Sequence, residues 1–180
     1  MSKRWMLVPV VMIAIVAAAV VPAVCDEKGA AAATDSKAAF EKIKGLAGTW
    51  EGTGAEEMPG PVTSQYRVTG GGSAVVETLF PGTPHEMVTV YHMDGPDLVM
   101  THYCAVGNQP RMKLDKAASK GDELYFVYAG GSNVDPAKGM YMHDVKLILQ
   151  SGDKLEEDWT SYSDGKKAKT SVFKIARKAS

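Results

Sequence analysis

From Thr49 to the C-terminus the chain is written in short runs of β-forming residues whose apolar and polar side chains alternate. Gly, Pro, Asn or Asp interrupts these runs roughly every eight to twelve residues, the rhythm of an all-β barrel or sandwich. The runs are Thr49–Gly54, Val62–Thr69, Ser73–Phe80, Glu86–Met93, Leu98–Val106, Arg111–Lys116, Glu123–Ala129, Tyr141–Gln150, Lys154–Tyr162 and Lys169–Arg177. Turn-formers such as Pro81-Gly82-Thr83-Pro84, Asp94-Gly95-Pro96-Asp97 and Ser151-Gly152-Asp153 link most of them. Short links make consecutive strands antiparallel neighbours, and a meander of about ten strands hides its edges by closing on itself. The pattern therefore predicts a single antiparallel up-and-down barrel. Asn133 to Met140 is the longest interruption, a loop or a single helical turn. Before the first strand, Ala39, Phe40, Ile43 and Leu46 fall near helical spacing, with Ser36 placed to cap a short helix and Gly45 and Gly48 to end it.

Alternation also assigns faces. In the eighth run Tyr141, His143, Val145, Leu147 and Leu149 share one face, the more apolar one. In the ninth, Leu155, Glu157, Trp159 and Ser161 share a face, which turns Trp159 inward. In the tenth, Ser171, Phe173 and Ile175 face in and Arg177 falls in phase with them. The even-membered turn at Gly95-Pro96 pairs Met93 with Leu98, Tyr91 with Met100 and Thr89 with His102. That register gives one inward face carrying Met87, Thr89, Tyr91, Met100, His102 and Cys104.

The N-terminal pattern is different. Lys3 and Arg4 precede an almost wholly apolar run from Trp5 to Val21, closed by Pro22-Ala23-Val24-Cys25. This is the layout of a secretory signal peptide. Cleavage and release is the first reading. Val24 fits poorly before a lipidated Cys25, and an uncleaved anchor is the third reading, because the run approaches the ~20 apolar residues that span a bilayer. In each, the barrel is exported, to the periplasm or beyond. The expected organisation is a signal peptide over 1–25, a flexible Ala-rich tether over 26–35 and the barrel over 36–180.

Composition narrows the partners. Without Lys3 and Arg4 the mature chain keeps 18 basic against 21 acidic residues, a net charge of −3, with no basic tract to hold nucleic acid. Any membrane contact would run through the N-terminal segment. The two cysteines, Cys25 and Cys104, build no disulfide framework.

Gly48-Thr49-Trp50, opening the first strand after a short helix, resembles the Gly-x-Trp signature of the lipocalin and fatty-acid-binding (calycin) barrels. That resemblance implies a basic side chain from the last strand packed across Trp50, and Arg177 is the matching residue. The segments Glu86–His92, Thr101–Ala105, Gly107–Arg111, Asn133–Pro136 and Met142-His143 resemble an uncharacterised family of exported bacterial proteins, which implies fold and location but no chemistry. Nitric-oxide-binding haem barrels share a similar Gly-x-Trp-x-Gly opening, and no further pattern ties this chain to them.

The calycin resemblance implies an interior that takes a small, largely apolar molecule, with Tyr91, His102, Arg111, His143 and Trp159 at its wall or mouth. His102 and His143 would form a polar centre with Tyr91, Tyr141 and Cys104; the plainer alternative is that each histidine is satisfied locally. Arg111, if it rims the cavity, would receive an anionic head group. Haem needs only one axial histidine in an apolar pocket, His102 or His143. No two of the four histidines stand at i, i+2 or i+4, so no metal set is written along one element. His102 and Cys104 suggest a base and a nucleophile, but i and i+2 side chains on a strand lie ~6.5 Å apart, beyond hydrogen-bond reach. No catalytic constellation stands out, and the competing function is a filled barrel acting through its surface in the cell envelope.

Overall fold

The structure is a computed structural model that describes residues 33–55 and 60–179. The apolar run, Cys25 and most of the expected tether lie outside the described residues. Helix α1 (Ser36–Lys44) precedes ten strands: β1 (Gly48–Thr53), β2 (Pro61–Thr69), β3 (Ala74–Leu79), β4 (Met87–Asp94), β5 (Asp97–Tyr103), β6 (Gln109–Leu114), β7 (Glu123–Ser132), β8 (Met140–Gln150), β9 (Lys154–Ser163) and β10 (Lys166–Arg177). Each strand pairs antiparallel with its neighbours in sequence, and β1 pairs with β10, so the sheet is a closed barrel. The segment from Asn133 to Met140 is a loop pinned by a bridge between Asp135 and Lys138 rather than a helical turn.

The β4–β5 register pairs Met93 with Leu98, Tyr91 with Met100 and Thr89 with His102. The Asp94-Gly95-Pro96-Asp97 turn dictates this register, and it buries Thr89, Tyr91, Met100 and His102 together. Leu98, Leu114, Leu124, Leu155 and Ile175 form an apolar layer at one end of the interior. Helix α1 closes that end with Ala39, Phe40 and Ile43. At the opposite end, the mouth, the inward-phase side chains of Met87, Tyr128, Ser161 and Ser171 are only half-buried.

Asp35, not Ser36, caps the helix. Its Oδ1 accepts the Ala38 N–H at 2.8 Å, and Ser36 is the first helical residue. Asp and Ser are near-equal caps, so sequence could not choose between adjacent positions. Asp35→Ala should cost about 1 kcal/mol in urea denaturation. Just upstream, Thr34 donates its N–H to Lys116 O (2.9 Å) and its hydroxyl to Ser119 O (2.7 Å), so the chain is already held there. Lys42 and Lys44 sit in the last turn, where their charge suits the helix dipole.

Two backbone features shape the wall. β1 and β10 approach so closely at Gly52 that a Cβ there would lie 2.0 Å from Lys174 O, so only glycine fits. In β8 a bulge between Met142 and Asp144 makes His143 an extra residue opposite β9. A bulge breaks the period-two alternation. The inward phase of Val145, Leu147 and Leu149 therefore does not carry back to His143.

Candidate functional site

Two carboxyl groups stand at the centre of the barrel. Glu77 lies on β3 between the inward-facing Val75 and Leu79, and Glu157 lies on β9 between Leu155 and Trp159. Both side chains are fully buried. Among the described residues neither meets a lysine or arginine; their neighbours are neutral donors from β2, β4 and β9. Glu77 accepts the Ser64 hydroxyl (3.1 Å) and the Tyr91 hydroxyl (3.0 Å). Glu157 accepts the Tyr66 hydroxyl (2.8 Å) and the Trp159 indole N–H (3.2 Å).

The pair holds at least one proton. Two carboxylates cannot both ionise at contact distance in a medium that solvates charge poorly. Burial, then the nearby Glu77 charge, pushes Glu157 well above the usual carboxyl range, so it is the member that keeps its proton. Burial also raises Glu77, while the hydrogen bonds from Tyr91, Ser64, Glu157 and Thr89 pull it back toward the ionised form. Tyr66 and Tyr91 are pushed well above 10, first by burial and then by the two carboxyls.

His102 on β5 extends this network toward the mouth. It is 1% exposed, and its Nδ1 lies 3.0 Å from Thr89 Oγ1. Its ring centroid is 4.6 Å from that of Trp159. Burial alone lowers its pKa from 6.5 to about 4, so the imidazole is neutral at neutral pH. Among the described residues Nε2 has no hydrogen-bond partner.

No protein-family model matches the chain, and no curated protein matches it either.

The structure thus gathers Tyr91, His102 and Trp159 in one interior centre and places His143 and Arg111 elsewhere. His143 stacks on Tyr162 with ring centroids 4.0 Å apart and faces Tyr128 at 5.5 Å. Its Nδ1 lies 2.8 Å from Asp144 Oδ1. Tyr141 joins this second aromatic cluster, 5.0 Å from Tyr128. The two-histidine polar centre expected from alternation is therefore not formed, and the β8 bulge is the reason. Arg111 pairs with Thr101 across the β5–β6 ladder, out of phase with the buried Met112, and forms an exposed ion pair with Asp94. It does not rim the interior. Removing so exposed a pair matters little, and Arg111→Ala should shift stability by less than about 0.5 kcal/mol in urea denaturation.

Cys104 is a buried thiol whose ionisation burial disfavours, with Met87 Sδ at 4.0 Å from its sulfur. Haem does not fit the centre as packed. The Trp159 ring lies against His102, and Tyr91 and Phe126 meet edge-to-face 5.9 Å apart beside it. Those rings occupy the width a porphyrin would need. Among the described residues no three of His, Cys, Asp and Glu stand together as a metal site, and no helix is long and apolar enough to cross a membrane.

At the closed end, the Arg177 guanidinium lies 4.4 Å from the Trp50 ring centroid. The two residues also pair across β1 and β10. Arg177 donates to Ala47 O (2.7 Å), Gly45 O (2.9 Å) and Asp153 Oδ1 (2.9 Å), and the Trp50 indole donates to Leu46 O (2.8 Å).

The residues that sequence reasoning missed are Glu77 and Glu157, with Ser64 and Tyr66. The signal was present: a glutamate in phase with Leu155 and Trp159, and another in phase with Val75 and Leu79. A charged residue on the buried phase of a strand marks either a register error or a functional centre.

Proposed function

We propose that this chain is an exported barrel that binds a small, largely apolar molecule at the mouth-side half of its interior. The observation that carries the reading is the bare Nε2 of His102, fully buried beside Trp159. A buried polar atom without a partner is costly, and a ligand group that pairs with it removes that cost. The buried acid pair supports the same reading. A barrel built only for stability gains more from apolar packing at its centre than from two glutamates. Half-buried apolar side chains at the mouth, Phe80, Met87 and Met142, pack on this core and have the adaptability to admit a guest. Export is proposed from the basic and apolar pattern of residues 3–25. The acidic interior and the outward Arg111 argue against the anionic head group the sequence suggested.

The test is native mass spectrometry on protein purified from a bacterial host, with Trp fluorescence of the same sample. A reproducible extra mass released on denaturation, accompanied by a fluorescence change, supports the proposal. A bare mass and a fluorescence signal indifferent to small alcohols and lipids count against it.

A second reading has its own observation. Tyr66, Tyr91, Phe126 and Trp159 are buried together across the centre, as in a filled barrel that works through its surface. Exposed Val106 and Met140 line a concavity of about 280 Å³ beside the loop 133–139, a surface such a barrel would use. Bare protein that associates with envelope proteins through this face would favour it.

A further inference from the structure

We propose that residues 80–86, the loop joining β3 to β4, are a lid hinged at Phe80. Closed, the lid lays the Phe80 ring over the mouth; open, it bares the way to the buried centre. The inference rests on the ligand-binding proposal for what the lid admits, and on the geometry of the loop for the movement itself.

Alternation sends Phe80 outward. Val75, Glu77 and Leu79 are the buried phase of β3, so an extended residue 80 would carry its ring onto the outer wall. The ring is not there. Phe80 takes a φ of +55°, in the left-handed region that an aromatic residue rarely adopts. That turn brings the ring back over the interior, edge-to-face on Phe173 with the centroids 5.8 Å apart. Phe173 is buried and stands directly opposite Glu157 in the β9–β10 ladder, so the two side chains share the inner face. Phe80 therefore lies between the mouth and the acid pair.

The relaxed alternative is written in the sequence. Phe80 precedes Pro81, and a residue before proline favours the extended region. The closed position is thus the strained one, and strain of this kind persists only where the surroundings hold it. The half-buried ring supplies that hold through its contact with Phe173. The loop keeps its own shape. Phe80 O accepts the Thr83 N–H (3.2 Å) and hydroxyl (2.9 Å), Thr83 O accepts the Glu86 N–H (3.1 Å), and Glu86 Oε2 accepts the Gly82 N–H (2.6 Å). All these bonds lie within residues 80–86, so the loop can move as one body. Phe80 N–H donates to Thr63 O (2.9 Å), continuing the β2–β3 ladder, and an extended Phe80 keeps that bond. Gly82 to Glu86 are exposed, which leaves the loop room to swing. Opening loses the Phe80–Phe173 contact and relieves the backbone, so the two effects oppose each other at one residue.

The test is hydrogen exchange of the two indole N–H groups, followed by ¹H–¹⁵N spectroscopy with no ligand added. The Trp159 N–H, donated to Glu157, reports entry of water to the centre. The Trp50 N–H, donated to Leu46 O at the closed end, is the control. Phe80→Ala removes the ring and leaves the residue before Pro81 strained. It should speed Trp159 exchange about tenfold relative to Trp50. Pro81→Ala keeps the ring and eases the strain of the closed position. It should slow Trp159 exchange by about threefold relative to Trp50. Neighbouring substitutions with opposite effects separate a lid from a general weakening, which would speed both. If Phe80→Ala does not fold, the sign in Pro81→Ala decides. Equal changes at the two indoles in Phe80→Ala, or faster Trp159 exchange in Pro81→Ala, overturn the lid. The expected exchange pattern in a barrel that carries no guest leaves the lid standing and removes only the ligand-binding proposal.

Discussion

Glu157→Gln should reduce the loss of stability that the wild-type barrel undergoes as pH rises above about 6.5. Glu157 holds its proton in the native state well beyond the 4.5 at which an unfolded glutamate releases it. Above that pH the native state binds the extra proton, so this group makes stability fall with rising pH, by up to ~1.4 kcal/mol per unit. His102 acts in the opposite sense. Its pKa falls from 6.5 to about 4 on folding, so between those values the unfolded chain binds a proton that the native state refuses. Stability then rises with pH and is lost as pH falls through this window. From about 4.5 to 6.5 the two slopes offset one another, and the wild type should be nearly level. Above 6.5 the histidine is neutral in both states and only the carboxyl slope remains. Glu77 and the partly buried Asp158, both raised by burial, add in the same direction as Glu157. Tyr66 and Tyr91, raised well above 10, extend the decline into alkali.

Glutamine can imitate the protonated glutamate in part, its carbonyl oxygen accepting the Trp159 indole N–H while its amide donates and turns the Tyr66 hydroxyl from donor to acceptor. The variant should then lose the Glu157 decline, leaving the histidine gain of up to about 3 kcal/mol from pH 4 to 6.5 opposed only by Glu77 and Asp158. Glu157→Leu is a harsher change, because it strands Glu77, the Tyr66 hydroxyl and the Trp159 N–H in the interior. It should cost about 3–5 kcal/mol at neutral pH. Urea titrations at intervals from pH 4 to 9 measure all three proteins. Parallel stability curves for wild type and Glu157→Gln would mean that the pair does not hold a proton in the native barrel.

The parts of this molecule legible in the sequence are those governed by local periods. The Asp94-Gly95-Pro96-Asp97 turn sets its hairpin register because an even turn between two alternating runs leaves one satisfactory pairing, and that pairing places Thr89 opposite His102. Trp159 reads as internal because Leu155 and Glu157 share its phase. What was not legible depends on closure in three dimensions or on a single inserted residue. Glu77 and Glu157 lie on β3 and β9, strands that share no ladder, and only the closed barrel brings them together across its interior. Each alone reads as a polar residue on an apolar face. The β8 bulge has no turn residue to announce it, so alternation carried His143 onto the wrong face. Arg111 was misplaced for the converse reason. Its position beside Asn108-Gln109-Pro110 suggested a rim, whereas the strand begins at Gln109 and its phase, fixed by Met112, turns Arg111 outward.

Removing Arg177 should loosen the closed end of the barrel before it disturbs the interior. The guanidinium caps two carbonyls, Gly45 O and Ala47 O, that follow helix α1, and lies over Trp50, 4.4 Å from its ring centroid. The stacking contact contributes about 0.5–2 kcal/mol. Each hydrogen bond to a charged donor adds about 1.5–3 kcal/mol before the exposed carbonyls regain water. The ion pair with Asp153 adds little, since that carboxylate is largely exposed. Arg177→Ala should therefore cost about 3 kcal/mol, a fall of roughly 8 °C in Tm for a domain of this size. Arg177→Lys keeps the charge but not the planar fork that reaches two carbonyls and a ring at once, so it should recover less than half of the loss. Amide exchange separates this from a general weakening. Faster exchange should concentrate in α1 and the segment 45–50, whereas β4 and β5 should follow only the fall in global stability. A Lys variant as stable as the wild type would mean that charge alone, without the fork, closes the barrel end.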